Sequence, residues 1–296
     1  MGKQVINGLG FEYAIAHALN RILHCGIAQN TAAKKCATAY RAMDKNIRIK
    51  ADVSAEKIAA FLLQCDKRLN HAVTISIQGS AEGRTGDVRD VLIDCVDSEI
   101  GISAKHRHYD VKHPRLSSKI DFGKQWGDQP VSDTYWRRVK PIFEDLQERR
   151  LRGEKWRNIP NKQGTIYLPL LIAFQDELER LCADYGRQFI PRFFHYLIGR
   201  NDFYKAICDT HESVVESINL NGTLAWGDKW KIPDRIQSVN RATNSETILI
   251  VTFEGGWQIS FRLHSASSKV EPSLKFAVSF IGVSSKVSRI TLSHDD

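Results

Sequence analysis

Two strand-like runs separated by only two residues set the first constraint on this chain. Val88 to Val96 is rich in valine and isoleucine, and Glu99 to His106 returns immediately after Asp97-Ser98. A connection that short joins antiparallel neighbours, because parallel strands need a crossover of a dozen residues or more. A third run, Ala72-Val-Thr-Ile-Ser-Ile-Gln78, alternates apolar and polar residues, and the glycine-rich stretch Gly79 to Gly86 links it to the next run as a loop. The expectation is a three-strand meander spanning Ala72 to His106.

Helical spacing surrounds the meander. Phe11, Ile15, Ala18, Leu19 and Ile22 lie on one face of an amphipathic helix over Phe11 to Cys25. Thr31 to Met43 reads as a second helix, and Ser54 to Leu69 as a third with Ser54 as its cap. Further on, Ser132 to Arg152 reads as a helix capped by Ser132 or Asp133 and kinked or split at Pro141. A helix from about Leu170 to Cys182 and a short aromatic-rich helix over Pro191 to Tyr204 follow. From Ser217 onward strand signals dominate: Thr247 to Phe253, Trp257 to Leu263 and Leu274 to Ile281, the first two joined at Gly255-Gly256. This order predicts an α+β fold. Residues 1–215 form a core with helical insertions and residues 216–296 a C-terminal β-rich region, or the two run together as one continuous domain.

The 296 residues, 42% of them hydrophobic, are enough for a sizeable core. A formal net charge of +8 favours polyanionic partners. The surplus is uneven: Lys105, Arg107, Lys112, Arg115, Lys119 and Lys124 crowd one segment, interleaved with His106, His108 and His113. No two of the six cysteines have CxxC spacing, which favours buried free thiols in a reducing compartment over a zinc site. The N-terminus lacks the pattern of a signal peptide, and no run approaches the ~18 apolar residues of a membrane span. A cytoplasmic protein without membrane contact is expected.

The chemistry-bearing residues lie on the meander. With the turn at Asp97-Ser98, Val96 faces Glu99, Leu92 faces Ser103, and Asp90 lies across from Lys105. Opposed residues share a face with Cβ atoms ~5 Å apart. A one-residue slip would separate them. Phosphodiester hydrolysis needs a carboxylate to hold Mg²⁺ and a cation to orient water or stabilise the pentavalent transition state. Asp90 and Lys105 supply both. The plain alternative is a structural salt bridge at a sheet end. Against it stand the glycine-rich loop before Asp87 and the basic, histidine-rich segment after Lys105.

This arrangement resembles the PD-(D/E)XK nuclease core, in which a helix precedes a β-meander, an acid begins the second strand and (D/E)XK lies on the third. Here the third-strand motif reads Ser103-Ala104-Lys105, with serine in the acid's place. Some members carry a carboxylate on the preceding helix instead. Glu12, within Gly8-Leu-Gly-Phe-Glu-Tyr13, is the residue in that position, and Asp87 is the other option. Two longer blocks, Ser103 to Ser117 with Ile120-Asp-Phe-Gly-Lys124, and Trp257 to Phe276, are similar to HaeIII-type restriction endonucleases. That resemblance implies a type II restriction enzyme using Mg²⁺ on double-stranded DNA and paired with a cognate DNA methyltransferase. It implies a short palindrome, GGCC in the family's type member, and hence either a homodimer or a monomer cutting the strands in turn. Asp90 and Glu12 are then metal ligands, Lys105 orients water, and Ser103 and Asp87 stand nearby.

Arg107, Lys112, His113, Arg115, Lys119 and Lys124 are candidate DNA contacts, with a solvated basic loop as the alternative. Arg262, His264 and Lys269, in the C-terminal β region, are candidates for groove contacts, with a simple strand connector as the alternative. The clusters Trp136 to Lys140 and Arg149 to Arg152 read as helix surface paired with neighbouring acids. Two other functions remain open on sequence grounds: a DNA-binding protein without catalysis, and a repair or recombination nuclease of the same superfamily.

Overall fold

In chain order the elements are α1 (Lys3–Leu23), α2 (Thr31–Arg41), α3 (Lys45–Cys65), β1 (Ala72–Ile77), β2 (Val91–Cys95), β3 (Ser98–His106), β4 (Asp110–Lys112) and β5 (Arg115–Ser117). Then come α4 (Phe122–Gly127), α5 (Asp133–Leu151), α6 (Leu168–Ile198), β6 (Phe203–Cys208), β7 (Glu212–Ile218), β8 (Ile236–Arg241), β9 (Ile248–Phe253), β10 (Gln258–His264), β11 (Ser273–Gly282) and β12 (Arg289–Ser293). This computed structural model describes residues 2–79, 87–106, 110–282 and 287–294.

The chain forms two compact units, each assembled from separated segments. Unit 1 comprises residues 1–109, 199–230 and 285–296, and unit 2 comprises residues 110–198 and 231–284. The boundary expected near residue 215 falls inside β7 of unit 1.

Unit 1 carries a six-stranded sheet in the order β1-β2-β3-β6-β7-β12. The first three strands are the antiparallel meander, β6 lies parallel to β3, and β7 and then β12 continue the sheet antiparallel. A parallel neighbour requires a crossover, and here the chain between β3 and β6 supplies it by building most of unit 2's helices. The core joins Phe11, Ile15 and Leu19 of α1 and Ile58 and Leu62 of α3 to Ile75, Ile93, Ile100, Ile102, Tyr204 and Ala206 of the sheet. Each fully buried Phe, Leu or Ile among them contributes roughly 1.5–3 kcal/mol.

Local signals place the helices with two corrections. Asn30 caps α2 and Ser132 caps α5, each accepting from a backbone N–H in the first turn. The third helix begins nine residues earlier than expected: Asp44 caps it by accepting from Asn46 N, and Ser54 is buried inside it against Ser213. Pro141 sits within an uninterrupted α5.

Unit 2 holds a sheet in the order β4-β11-β10-β9-β8, with β5 also pairing β11. The hairpin between β9 and β10 turns at Gly255 and Gly256, both at positive φ. The two expected helices around Leu170 and Pro191 are one 31-residue helix, α6, that continues through Pro191. A proline in a helix interior costs about 3 kcal/mol. Phe189, Phe193 and Phe194, all fully buried around it, return more than that against Phe253, Phe261 and Trp257. The stretch expected as the end of a short helix, Phe203 and Tyr204, instead opens β6. Every β6 residue is buried, so the strand shows none of the alternation that marks a half-exposed strand.

Among the described residues no helix is long and apolar enough to cross a membrane. All six cysteines are free, but only Cys36 and Cys208 are fully buried, and the other four are half-buried.

Candidate active site

The β2–β3 turn falls at Val96-Asp97 rather than Asp97-Ser98, so Cys95 pairs with Ser98 and Val91 with Ile102. The register is displaced by two residues from the sequence expectation. An even displacement preserves the face. Asp90, one position before Val91, donates its N–H to Ile102 O at 2.8 Å, and Ser103 and Lys105 follow Ile102 on one face of β3.

The three side chains meet at one oxygen. Asp90 Oδ2 accepts from Ser103 Oγ at 3.2 Å, from Ala104 N at 2.8 Å and from Lys105 Nζ at 3.1 Å. The backbone explains why: β2 begins at Val91, so the carboxylate takes the Ala104 N–H where the strand's own pairing gives out. Ser103 is buried, whereas the Asp90 and Lys105 side chains keep 25% and 22% of their surface exposed. The pair is thus sheltered yet reachable, unlike a solvated surface ion pair.

Glu12 belongs to the same electrostatic neighbourhood. It rises from α1 into a half-buried position where Cys36 Sγ of α2 donates to its Oε2 at 3.3 Å. Burial first, and then the negative charge of Asp90, push its carboxyl up to about 8, with Lys105 and Lys35 pulling the other way. Close packing of α1 on α2 brings Cys36 there: a Cβ on Gly10 would stand 3.3 Å from Tyr40 Cα of α2.

Asp87 is committed elsewhere. Arg89 Nε and Nη2 donate to its two oxygens at 2.8 and 2.7 Å, and Arg89 Nη1 reaches Glu99 at 2.5 Å. Burial alone would raise the Asp87 carboxyl, but the Arg89 hydrogen bonds hold it below the ordinary aspartate range. Charge-assisted bonds are worth about 1.5–3 kcal/mol each, so turning Asp87 toward another cation costs several kcal/mol. Arg89 lies over Gly101, where a Cβ would come within 2.0 Å of its Cδ. Sequence reasoning did not single out this clamp.

Lys205 was also missed. It pairs laterally with Ser103 across the parallel β3–β6 ladder, is 3% exposed, and sits 3.3 Å from Glu216 of β7. Its one sequence signal is a lone lysine in the apolar run Phe-Tyr-Lys-Ala-Ile-Cys.

The candidate DNA contacts of unit 2 divide by exposure. Lys112 Nζ donates to Tyr196 O at 2.6 Å and stands 3.7 Å from the Tyr196 ring centre, and Arg115 Nη1 bonds Ser273 Oγ at 2.9 Å beside Glu271. Both are thereby tied into unit 2. Lys119, Lys124, Arg262 and Lys269 are exposed. The exposed His113 faces the His264 ring at 6.4 Å, and His264 Nδ1 bonds Ser265 O. Arg107, His108 and nearly all of the glycine-rich loop before Asp87 lie outside the described residues. The basic helix clusters form ordinary ion pairs, Arg138 with Asp176 and Arg149 with Asp145 and Glu154. Among the described residues no three His, Cys, Asp or Glu side chains gather as a metal site would require of protein ligands alone.

A half-buried carboxylate and ammonium, a second carboxyl raised by burial and a like charge, and a hydroxyl bonded to the first carboxylate form a centre suited to acid–base and cation-assisted chemistry. The type II restriction enzyme HaeIII of Haemophilus aegyptius is 34% identical over 298 residues, covering 94% of each chain. The family model described as "HaeIII restriction endonuclease" matches residues 8–284. The chain belongs to the HaeIII restriction endonuclease family and is a type II restriction enzyme.

Proposed function

We propose that this chain hydrolyses both strands of double-stranded DNA at a short palindrome, with Mg²⁺, on a PD-(D/E)XK core made of α1, the β1–β3 meander and the parallel strand β6. The observation that carries the reading is the convergence of Ser103, Ala104 N and Lys105 on Asp90 Oδ2 at the head of β2.

The residues fit a hard divalent cation. Asp90 and Glu12 offer oxygen donors; burial first and then the charge of Asp90 raise the Glu12 carboxyl, and a bound cation would favour its ionised form. Mg²⁺ is usually held by one or two carboxylates together with substrate phosphate and water, so two carboxylates suffice. When bound, Mg²⁺ neutralises phosphate charge and makes a coordinated water more acidic. Lys105 holds the attacking water by a hydrogen bond and places positive charge beside the phosphoryl group as negative charge builds there. Ser103 and the Ala104 N–H fix the Asp90 carboxylate so that it does not follow Lys105. Attack at phosphorus breaks the P–O3′ bond and leaves a 5′-phosphate and a 3′-hydroxyl.

Unit 2 is the DNA-recognition part in this reading. Lys119, Lys124, Arg262, His113 and Lys269 serve as phosphate or groove contacts, supported by their exposure, and Arg107 extends the set. Lys112 and Arg115 shape the same segment through Tyr196 and Ser273, and His264 sits under His113. The sequence carried over from the family resemblance is GGCC, cut in the middle. A palindrome matches a homodimer, and protection of the host's own sites falls to a methyltransferase.

The test is digestion of phage DNA with and without Mg²⁺. Discrete Mg²⁺-dependent bands whose ends read GG and CC, and which accept label from polynucleotide kinase only after phosphatase treatment, are expected. Smearing would favour a non-specific nuclease. Retarded but uncut DNA would overturn the catalytic reading in favour of a binding protein.

A further inference from the structure

The strand registers align one residue from each of four strands, β3, β6, β7 and β12, in a single transverse row. Ser103 lies beside Lys205, Lys205 across from Glu216, and Glu216 across from Arg289, while Asp90, just before β2, accepts from Ser103 at the head of the row. Directly paired residues project to the same face ~5 Å apart. The row is bonded along much of its length: Ser103 Oγ to Asp90 at 3.2 Å, Lys205 Nζ to Glu216 at 3.3 Å, and Arg289 Nη1 to Glu216 at 3.6 Å. It starts at the centre described above and ends at an exposed arginine on the sheet edge.

We infer that Lys205 is a positioning residue for the cleavage centre: its buried ammonium, fixed by Glu216, supplies positive charge beside Ser103, the position where the motif lacks its acid. The inference rests on the reading of Asp90 and Lys105 as that centre. Stability gives no reason for the arrangement. Lysine is almost never fully buried unless paired, and a buried ion pair exchanged for apolar side chains of similar size is often neutral or stabilising. Burial disfavours the charged form of Lys205; Glu216 offsets that cost and the nearby charge of Lys105 adds to it. Lys105 and Lys205 therefore lie close enough for the charge of one to act on the other. Two ammonium groups held that close are poorly suited to a structural row and well suited to a place where a phosphoryl group gains negative charge. At 3% exposure Lys205 does not touch the substrate. It acts through Ser103 and Asp90, and through its field.

The experiment compares wild type, K105A, K205R and the double variant K205M/E216M in single-turnover and steady-state cleavage, with thermal melts of each. The double variant removes the ion pair whole and is expected to melt near wild type. It is expected to lose about 10- to 100-fold in kcat with KM within about twofold, as displaced catalytic groups do. K205R, which keeps the charge, is expected to retain activity within about fivefold. Wild-type kcat in the double variant would overturn the inference and leave Lys205 and Glu216 as structural only. If the double variant does not fold, E216Q decides: a fall in kcat at unchanged KM supports the role, and an unchanged kcat overturns it. Wild-type cleavage by K105A would overturn the underlying assignment of the centre, a result distinct from either of these.

Discussion

Asp90 Oδ2 has three donors, so removing one of them should matter less than removing the carboxylate itself. S103A leaves the Ala104 N–H and Lys105 in place, and we expect cleavage to fall by less than about tenfold, since one net hydrogen bond is worth roughly 0.5–1.5 kcal/mol. A loss as large as that of an Asp90 variant would show Ser103 doing more than holding its neighbour. Glu12 gives a prediction in pH. Folded, it keeps its proton to about 8, whereas an ordinary glutamate loses it near 4.5. The folded protein binds the extra proton between those values, so this group's contribution is complete below about 4.5 and is lost as pH rises through about 8. E12Q removes that loss. Without metal it should be more stable than wild type at pH 8 by roughly 1–4 kcal/mol, at about 1.4 kcal/mol per unit and less any relaxation, with the gap closing near pH 5. Urea melts at both pH values measure it. Identical pH dependence in the two proteins would contradict the crowded environment of Glu12.

At the scale of elements, the β2–β3 hairpin governs everything around it. G101V should drive Arg89 off Gly101, break its bonds to Asp87 and Glu99, and cost about 1–3 kcal/mol, readable as a lowered melting temperature. No change in melting would mean that Arg89 repacks freely. The same hairpin shows how much of the site the sequence carries. Alternation told the two faces apart, so Asp90, Ser103 and Lys105 were legible as one group although the turn lies one residue earlier and the register is displaced by two. Periodicity defines a face but leaves position along the strand free. Strand β6 was not legible for the opposite reason: buried on both faces, it has no alternation to read, and Tyr204 and Lys205 passed as the end of a helix and its sequel. Cys36 and Arg89, which act through contacts far apart in sequence or fixed by packing, carry no local signature at all. The caps at Asn30 and Ser132 are written in the side chains that form them, whereas Ser54 has a cap's chemistry without a cap's position.

At the scale of the whole molecule, unit 1 is assembled from segments far apart in the chain. A protein truncated after residue 215 keeps the expected core segment but loses the end of β7, with Glu216, and all of β12. It should lose cooperative unfolding, as judged by near-UV circular dichroism and limited proteolysis. A sharp melt from that fragment would contradict the division into discontinuous units. Charge on unit 2 should govern DNA affinity. Replacing Arg262 or Lys269 by alanine is expected to reduce the salt dependence of binding by about one counterion each where the side chain meets phosphate. The central claim, that Asp90 and Lys105 cut DNA rather than stabilise a sheet end, meets its most direct test in single-turnover cleavage of a GGCC duplex by D90A and K105A in Mg²⁺, beside duplex binding in Ca²⁺. The account predicts that both variants bind within about threefold of wild type and cut at least ~10²-fold more slowly. Wild-type cleavage by either variant would contradict it.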